Sequence, residues 1–313
     1  MVIFLLLLAS VAAYVIVMIG MGRLGKDIFR TTRDSLLFQI IRNAMCVVMM
    51  AAITLILGRS LLPSGYVLLL AGAMGAAQLL SSVSSLACFK YGPVSISILI
   101  YSSLSMLISS LAGPVFWKES ISFFQIVGIV LSILSMTLLT EKSPEKKASF
   151  MWVICLILAG IGGGMQGPVQ KVLTTSQYAS QNMEFITYSF IFSTAASVIT
   201  YFLIAGINKK SENGSGGITY RIRGKVFWLF LSQAVLSVFL NINNLKLVDE
   251  LPTVIFFPAY SIGGLLIMTV ASRFLFKEKM NGRQTAGFVV GLFALLLISG
   301  TLEKLFALLT GSV

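Results

Sequence analysis

The chain alternates between long apolar runs and short polar gaps. Apolar runs of spanning length occur at ten places: residues 2–22, 36–58, 65–87, 93–115, 121–140, 149–167, 185–206, 225–243, 253–275 and 284–302. Each has about the 20 residues that an α-helix needs to cross the hydrocarbon core of a bilayer. The pattern predicts an all-α integral membrane protein with ten transmembrane helices joined by short connections and no soluble domain.

One stretch of this pattern occurs twice. Residues 93–139, shifted by 159 positions, lie without a gap over residues 252–298. The matched positions are Pro93 with Pro252, Tyr101-Ser102 with Tyr260-Ser261, Lys118-Glu119 with Lys277-Glu278, Gln125 with Gln284, and Gly128 with Gly287. Charged residues are scarce in this chain, so a repeated Lys-Glu pair followed at a fixed distance by Gln and Gly indicates a duplication.

The duplication divides the chain into two halves. We predict a first five-helix repeat at residues 1–140, a linker at 141–148, and a second five-helix repeat at 149–313. Because five is an odd number of spans, the second repeat would enter the membrane upside down. Two inverted repeats around a central site are common among secondary transporters, which expose that site to one side of the membrane and then to the other.

Composition and charge agree with a membrane protein. The chain is 57% hydrophobic and 11% charged, with a mean hydropathy of +0.94, whereas about a quarter of the residues of a soluble domain are charged. The net charge of +12 resides in short gaps and forms no basic, aromatic-rich face, so no nucleic-acid partner is expected. There is no histidine, and the three cysteines lie inside apolar runs without C-x-x-C spacing. We therefore expect no metal, no cofactor and no disulfide.

The basic residues predict the orientation. Of the 23 Lys and Arg residues, 16 fall in the gaps after odd-numbered runs, five fall on the other side, and two, Arg42 and Arg273, lie within runs. The positive-inside rule then places the odd-numbered gaps in the cytoplasm and both termini outside the cell. The predicted location is the cell membrane, with membrane lipid as a partner.

Polar residues inside the apolar runs are the candidates for a solute site. No run contains Asp or Glu in its core, so a site for a lipophilic cation is not expected and a neutral, zwitterionic or anionic solute fits better. The candidate substrate-binding residues are Tyr101, Ser102, Tyr260, Ser261, Gln78, Gln166, Gln233, Asn241, Arg42 and Lys171. For the serines, helix packing is the competing explanation, as it is for the five glycines between Gly160 and Gly167.

The two cations among these candidates have competing explanations as well. Arg42 could counter the carboxylate of a solute or reach the membrane interface. Lys171 could hold an anionic group or extend to the headgroups. The Lys118-Glu119 turn is expected to lie in water and to contact no solute.

The repeated motif resembles the drug/metabolite transporter superfamily, and more narrowly its ten-helix EamA-type members. The similarity rests on an apolar helix, a short turn with Glu, and a helix containing Gly, as at Val115 to Gly128 and Leu275 to Gly287. The resemblance implies alternating-access export of a small polar metabolite such as an amino acid, without a cofactor. Ten-helix members are usually described with both termini in the cytoplasm, opposite to the charge count here.

Other functions stay open at this point. A facilitative or exchange-type carrier, a multidrug exporter and a non-transporting membrane protein are alternatives. Small multidrug-resistance relatives use a Glu in their first helix, whereas the first run here offers only Ser10 and Tyr14. An enzyme is not expected, because the chain has no His, no acidic pair within a run and no Gly-x-Ser-x-Gly turn. A small-molecule solute is the expected partner, and a homodimer is left open.

Overall fold

The described part of the chain is folded almost entirely into helices. A computed structural model describes residues 2–27, 32–91, 94–139, 149–208, 224–276 and 281–299. These residues form no strand; they form the short 3₁₀ helix Ala179–Gln181 and ten α-helices. The α-helices are α1 (Val2–Asp27), α2 (Thr32–Ile56), α3 (Gly65–Tyr91), α4 (Val94–Trp117), α5 (Phe123–Leu139), α6 (Phe150–Thr174), α7 (Asn182–Asn208), α8 (Lys225–Glu250), α9 (Thr253–Phe276) and α10 (Gly282–Ile298). Pro93, the predicted linker 141–148 and the Lys277-Glu278 pair lie outside the described residues.

Several of these helices are suited to a membrane. In the described part of the chain, six have segments long and apolar enough to cross one: Leu36–Ile56, Gly65–Ser85, Ile100–Trp117, Phe150–Thr174, Ala179–Ile204 and Val226–Glu250. In α1, α5, α9 and α10 the apolar segments found there are shorter, at 10–17 residues. The predicted all-helical architecture is therefore confirmed, and the six segments are consistent with a multi-pass membrane protein. Ten crossings and inverted repeats stay predictions.

The helices form two compact units, and each unit draws on both halves of the sequence. Unit 1 comprises Met1–Val15, Leu80–Lys171 and Lys246–Val313, and unit 2 comprises Ile16–Leu79 and Val172–Leu245. Within unit 1, α4 packs on α9 and α5 packs on α10; within unit 2, α2 packs on α7. In each of these pairs, a helix contacts the helix five places later in the chain.

The contact between α5 and α10 in unit 1 is reciprocal. A Cβ atom added at Gly128 would lie 2.7 Å from Ile298 Cγ1, and one added at Gly287 would lie 2.7 Å from Leu138 Cβ. The two glycines face matching residues: Leu297 and Ile298 for Gly128, and Leu138 and Leu139 for Gly287. These partners are themselves related by the 159-residue shift. The two helices therefore contact each other through equivalent positions.

The apolar core of unit 1 also brings together positions that the sequence repeat relates. Residues of α4, α5, α9 and α10 join in one cluster that contains both members of four shift-related pairs: Met106 with Leu265, Leu107 with Leu266, Ile129 with Phe288, and Met136 with Leu295. The repeated apolar positions of the sequence are thus packed together in one core.

The repeated glutamines begin two equivalent helices. At the start of α10, Gln284 N–H donates to Asn281 Oδ1 (2.8 Å) and Asn281 N–H donates to Gln284 Oε1 (3.0 Å). At the start of α5, Gln125 N–H donates to Ser122 Oγ (3.2 Å) and Ser122 N–H donates to Gln125 Oε1 (2.9 Å). Both are capping boxes, which satisfy backbone N–H groups that have no partner within the helix.

Bonds at the helix ends connect the turns of unit 1. Arg283 Nη2, at the start of α10, donates to the carbonyl of Thr137 near the end of α5 (2.6 Å). Trp152 Nε1, at the start of α6, donates to Ser97 Oγ near the start of α4 (2.7 Å). Both bonds join gaps that follow odd-numbered helices.

Unit 2 has an equivalent connection between two other turns. Arg59 Nη1, after α2, donates to Asn182 Oδ1 (2.9 Å), and Ser64 N–H donates to Gln181 Oε1 (2.8 Å). The rings of Tyr66 and Tyr178 stack nearby, with centroids 5.4 Å apart. The turn after α2 is therefore held to the turn after α6, and both follow even-numbered helices.

Candidate functional site

Arg42 lies within the apolar segment of α2, in unit 2. Its Nε and Nη2 atoms both donate to Asn43 Oδ1, at 3.2 and 3.0 Å. The Arg42 Cζ atom lies 5.6 Å from the centroid of the Phe38 ring, within the range of a cation–π contact. Among the described residues, no carboxylate forms an ion pair with Arg42. The guanidinium therefore lies next to an aromatic face and a neutral amide.

Asn43 connects this guanidinium to a second helix. Its Nδ2 donates to Ser193 Oγ of α7 at 3.0 Å, and both Asn43 and Ser193 are fully buried. A side chain that bonds to a buried amide between two helices is directed into the protein. Of the two explanations for Arg42, the geometry favours the interior over the membrane interface.

Gln233 of α8 contributes a buried amide to unit 2. Its side chain is 1% exposed, and Oε1 has no hydrogen-bond partner among the described residues. The amide nitrogen contacts Gly20 of α1 so closely that a Cβ atom at that position would collide with it. A buried acceptor without a partner is costly, and such groups often mark a functional position.

The other two candidates in unit 2 are less exceptional. Asn241 Nδ2 donates to the carbonyl of Ser237 one turn earlier in α8 (2.9 Å), which satisfies its amide locally. Gln78 in α3 is half-buried and has an interaction within the described residues.

Six candidates lie in unit 1, where aromatic residues surround Tyr260. The Tyr260 ring lies 5.1 Å from that of Tyr14 in α1 and 5.6 Å from that of Phe256, measured between centroids. Pro258, which is buried, removes one backbone N–H from α9 within a turn of Tyr260.

Tyr101 has its own surroundings in unit 1. It packs against a cluster formed by Cys88, Cys155 and Leu156, which also includes Trp152. Ser102 and Ser261, the residues after the two tyrosines, are both half-buried. Tyr101 therefore packs against this cluster, whereas Tyr260 packs against Tyr14 and Phe256.

The glycines of α6 pack against α4, as expected for a thin helix. A Cβ atom at Gly160 would lie 2.5 Å from Leu104, and one at Gly164 would lie 2.6 Å from Ile108. Ser109 Oγ also donates to the Gly164 carbonyl at 2.8 Å. The packing interpretation is confirmed for these two positions. Gln166, which follows, makes a long bond to its own helix at 3.5 Å.

Lys171 forms its bonds within unit 1. Its Nζ donates to the carbonyl of Val248 near the end of α8 (2.9 Å) and lies 3.6 Å from Glu119 Oε1. The Lys171 and Glu119 side chains are only 11% and 14% exposed. Lys171 is therefore paired with a carboxylate within unit 1, and Arg42 is the candidate cation that has none among the residues the structure describes.

The prediction that the Lys118-Glu119 turn lies in water is wrong for Glu119. Lys118 adopts a left-handed backbone conformation (φ 53°), a common way to end a helix, and this turns the chain after α4 inward. Glu119 Oε2 then accepts the backbone N–H of Thr253 (2.8 Å) and its hydroxyl (2.9 Å) at the first residue of α9. Gly113 leaves the space, because a Cβ atom there would collide with both side chains.

The site residues that sequence reasoning missed share one property. Asn43, Ser193 and Thr253 are short polar residues whose role depends on a partner far away in the sequence. The burial of Glu119 had no signal in the hydropathy pattern. The described residues contain no group of three His, Cys, Asp or Glu side chains that could hold a metal ion.

Comparisons with known proteins identify the fold but no family. No protein-family model matches the sequence, and no curated protein matches it. Solved structures do match: a crystal structure described only as that of a protein aligns over 96% of this chain and 97% of its own, with a TM-score of 0.75 and 10% identity. At that identity the likeness shows the fold alone, and the chain adopts a helical fold already found by crystallography.

Proposed function

We propose that the protein is a secondary transporter that moves a small polar solute across the cell membrane by alternating access. In this proposal ten helices span the membrane as two inverted five-helix repeats of the EamA type, with both termini outside. The solute is an amino acid or a similar metabolite, and export is the expected direction. No nucleotide-binding loop is present in the sequence, so the proposed process does not use ATP directly.

The reciprocal contact of α5 with α10 carries this proposal. A two-fold axis makes contacts occur in equivalent pairs. If residue i contacts the shift-related partner of residue j, then residue j contacts the shift-related partner of residue i. Gly128 and Gly287 meet each other's shift-related partners in this way. A two-fold relation between halves with five spans each is the architecture of inverted-repeat transporters.

The bonds between turns also support ten crossings. If every helix crosses the membrane, even-numbered gaps lie on one side and odd-numbered gaps on the other. In unit 1, Lys171 and Glu119 join the gaps after α6, α4 and α8, while Arg283 joins the gaps after α9 and α5. None of these bonds joins an even-numbered gap to an odd-numbered gap. At about 1.5 Å per residue, the 17 residues of α5 span roughly 26 Å, close to the thickness of the hydrocarbon core.

The experiment that tests this proposal is solute flux through purified protein in sealed liposomes, with thermal stability in detergent as a binding assay. Amino acids, nucleotides, sugars and organic cations are tested in parallel. We expect one class to be transported and to raise the melting temperature, because a solute at about 100 times its Kd stabilises the folded state by about 2.7 kcal/mol. Flux without an imposed ion gradient would indicate a facilitative carrier, and flux and stabilisation by organic cations alone would indicate a multidrug exporter.

The tyrosine variants test the position of the site. Tyr101→Phe and Tyr260→Phe should reduce both flux and stabilisation, whereas Tyr66→Phe, at an exposed position at the start of α3 in unit 2, should leave them unchanged. A complete absence of flux and stabilisation across the panel would contradict the transporter assignment and favour a non-transporting membrane protein.

A further inference from the structure

Arg42 differs from Lys171, the other cation among the candidate residues, in what surrounds it. Lys171 is matched by the carboxylate of Glu119. For Arg42, the hydrogen-bond partner among the described residues is Asn43, a neutral amide. A charged side chain inside a transmembrane segment is costly and is usually paired or functional. The lack of a carboxylate partner for Arg42 in the described part of the chain is therefore the first observation that points to a ligand.

The geometry of the guanidinium defines which chemical group would fit. Asn43 Oδ1 takes the Nε–H bond and one N–H bond of Nη2, on one edge of the guanidinium plane. The opposite end of the group has one N–H on each Nη atom, and this parallel pair matches the two oxygens of a carboxylate. The bonds of Asn43 and the ring of Phe38 fix the plane of the fork, which reduces the entropy lost on binding.

Contacts on either side of Arg42 identify the facing segment of α8. One turn before Arg42, Phe38 packs edge-to-face on Phe230 with centroids 4.9 Å apart. One turn after it, Cys46 Sγ lies 3.5 Å from the carbonyl of Ala234. Arg42 therefore lies level with the segment 230–234, which carries Gln233.

Gln233 supplies the second observation that points to a ligand. Its buried Oε1 has no hydrogen-bond partner among the described residues. At this height in unit 2, the Arg42 guanidinium on α2 can donate two N–H bonds, and Gln233 Oε1 on α8 can accept one. A small solute with a carboxylate and a neighbouring N–H or O–H donor would satisfy both.

We propose that Arg42 forms the carboxylate-binding subsite of the transported solute, with Asn43 and Ser193 as positioning residues and Gln233 as the acceptor for an adjacent donor. This inference rests on the proposed transport function. It makes Arg42 the residue that determines the preference for anionic or zwitterionic solutes over neutral ones. The oxyanion could instead belong to a lipid headgroup, but the buried bond from Asn43 to Ser193 directs Arg42 away from the lipid.

The test compares charged solutes with uncharged partners of the same shape. Glutamate is compared with glutamine, aspartate with asparagine, and propionate with propionamide, by flux in liposomes and by melting temperature in detergent. At least one solute with a carboxylate should bind, and Arg42→Gln should weaken its binding about tenfold to a hundredfold, as expected for the loss of a charge-assisted pair. Arg42→Lys keeps the charge but loses the fork, so binding should be intermediate. Lys246→Gln removes one positive charge from an exposed position of α8 and is the matched control.

The outcomes separate this inference from the proposed function. Flux of a carboxylate solute that is unchanged in Arg42→Gln and Arg42→Lys would overturn the subsite while the transporter assignment stands. If phosphatidylglycerol alone stabilises the protein, and does so only with Arg42 present, the residue is a lipid contact and the subsite is wrong. A wild-type protein that transports none of the wider panel would contradict the transporter itself. Melting temperatures without ligand identify variants that do not fold. If Arg42→Gln does not fold, the binding of carboxylate solutes by Arg42→Lys decides whether Arg42 forms the subsite.

Discussion

Replacing Glu119 with alanine is expected to destabilise the protein by about 3–5 kcal/mol, the usual cost of removing one partner of a buried ion pair. The carboxylate has two roles in unit 1. It caps the N-terminus of α9 through Thr253, and it lies 3.6 Å from the Lys171 ammonium, which bonds the C-terminal end of α8. Negative charge is favoured at a helix N-terminus and positive charge at a C-terminus. The pair therefore holds the corner between α8 and α9 from both sides.

Matched variants divide this effect into its parts. Glu119→Gln keeps an acceptor for Thr253 and should cost less than Glu119→Ala, whereas Lys171→Met leaves the cap in place. The double variant Glu119→Gln/Lys171→Met should lose less than the sum of the two single changes, which measures the coupling of the charges. Glu250→Gln changes an exposed acid near the same corner and should have little effect. A loss for Glu119→Ala no larger than that of Glu250→Gln would contradict the buried pair.

Alanine at Gly128 or at Gly287 should lower stability by about 1–3 kcal/mol, and by similar amounts at both positions. A Cβ atom at either glycine would lie 2.7 Å from the facing helix, closer than two carbon atoms can approach. At Gly287 the neighbours include the backbone nitrogen of Leu139 at 3.0 Å, so the helices themselves would have to move apart. The equality of the two losses follows from the reciprocal contact of α5 with α10.

The control for the glycine variants is a glycine with free space around it. Gly65 begins α3 and Gly282 begins α10, and a Cβ atom at either would meet nothing within 4 Å. Alanine at these positions should leave the melting temperature unchanged or raise it, because Gly is a weaker helix former. If Gly287→Ala behaves like Gly282→Ala, the close approach of α5 to α10 is wrong.

The positions of the helices could be predicted from the sequence because each apolar run is long and ends at turn-forming or charged residues. The start of α10 is an example. The run was predicted from 284, and the capping box of Asn281 with Gln284 begins the helix two residues earlier. The repeated glutamine was visible in the sequence, and the structure gives its physical reason.

The contacts between helices could not be predicted in the same way. Hydropathy places Glu119 in a polar turn but cannot show that Lys118 turns it towards Thr253, 134 residues later. The order of apolar runs suggested two sequential halves, and it carries no signal that α4 and α5 would pack with α9 and α10 in one compact unit. Arg42 was visible as a cation within a run, but the direction of its side chain depends on Asn43 and Ser193.

The most direct test of the inverted ten-span arrangement is the sidedness of single cysteines in intact cells. The three native cysteines are free and buried, and they are replaced first so that each introduced thiol is the only one. Ser60, Ser120 and Gln177 are exposed in gaps after even-numbered helices, and Ser149 and Thr285 are exposed next to gaps after odd-numbered helices. A membrane-impermeant thiol reagent added outside should label the first three as cysteines and leave the last two unlabelled until the cells are opened. Labelling of both groups from the same side would show that at least one apolar helix does not cross the membrane, and the inverted arrangement would be wrong.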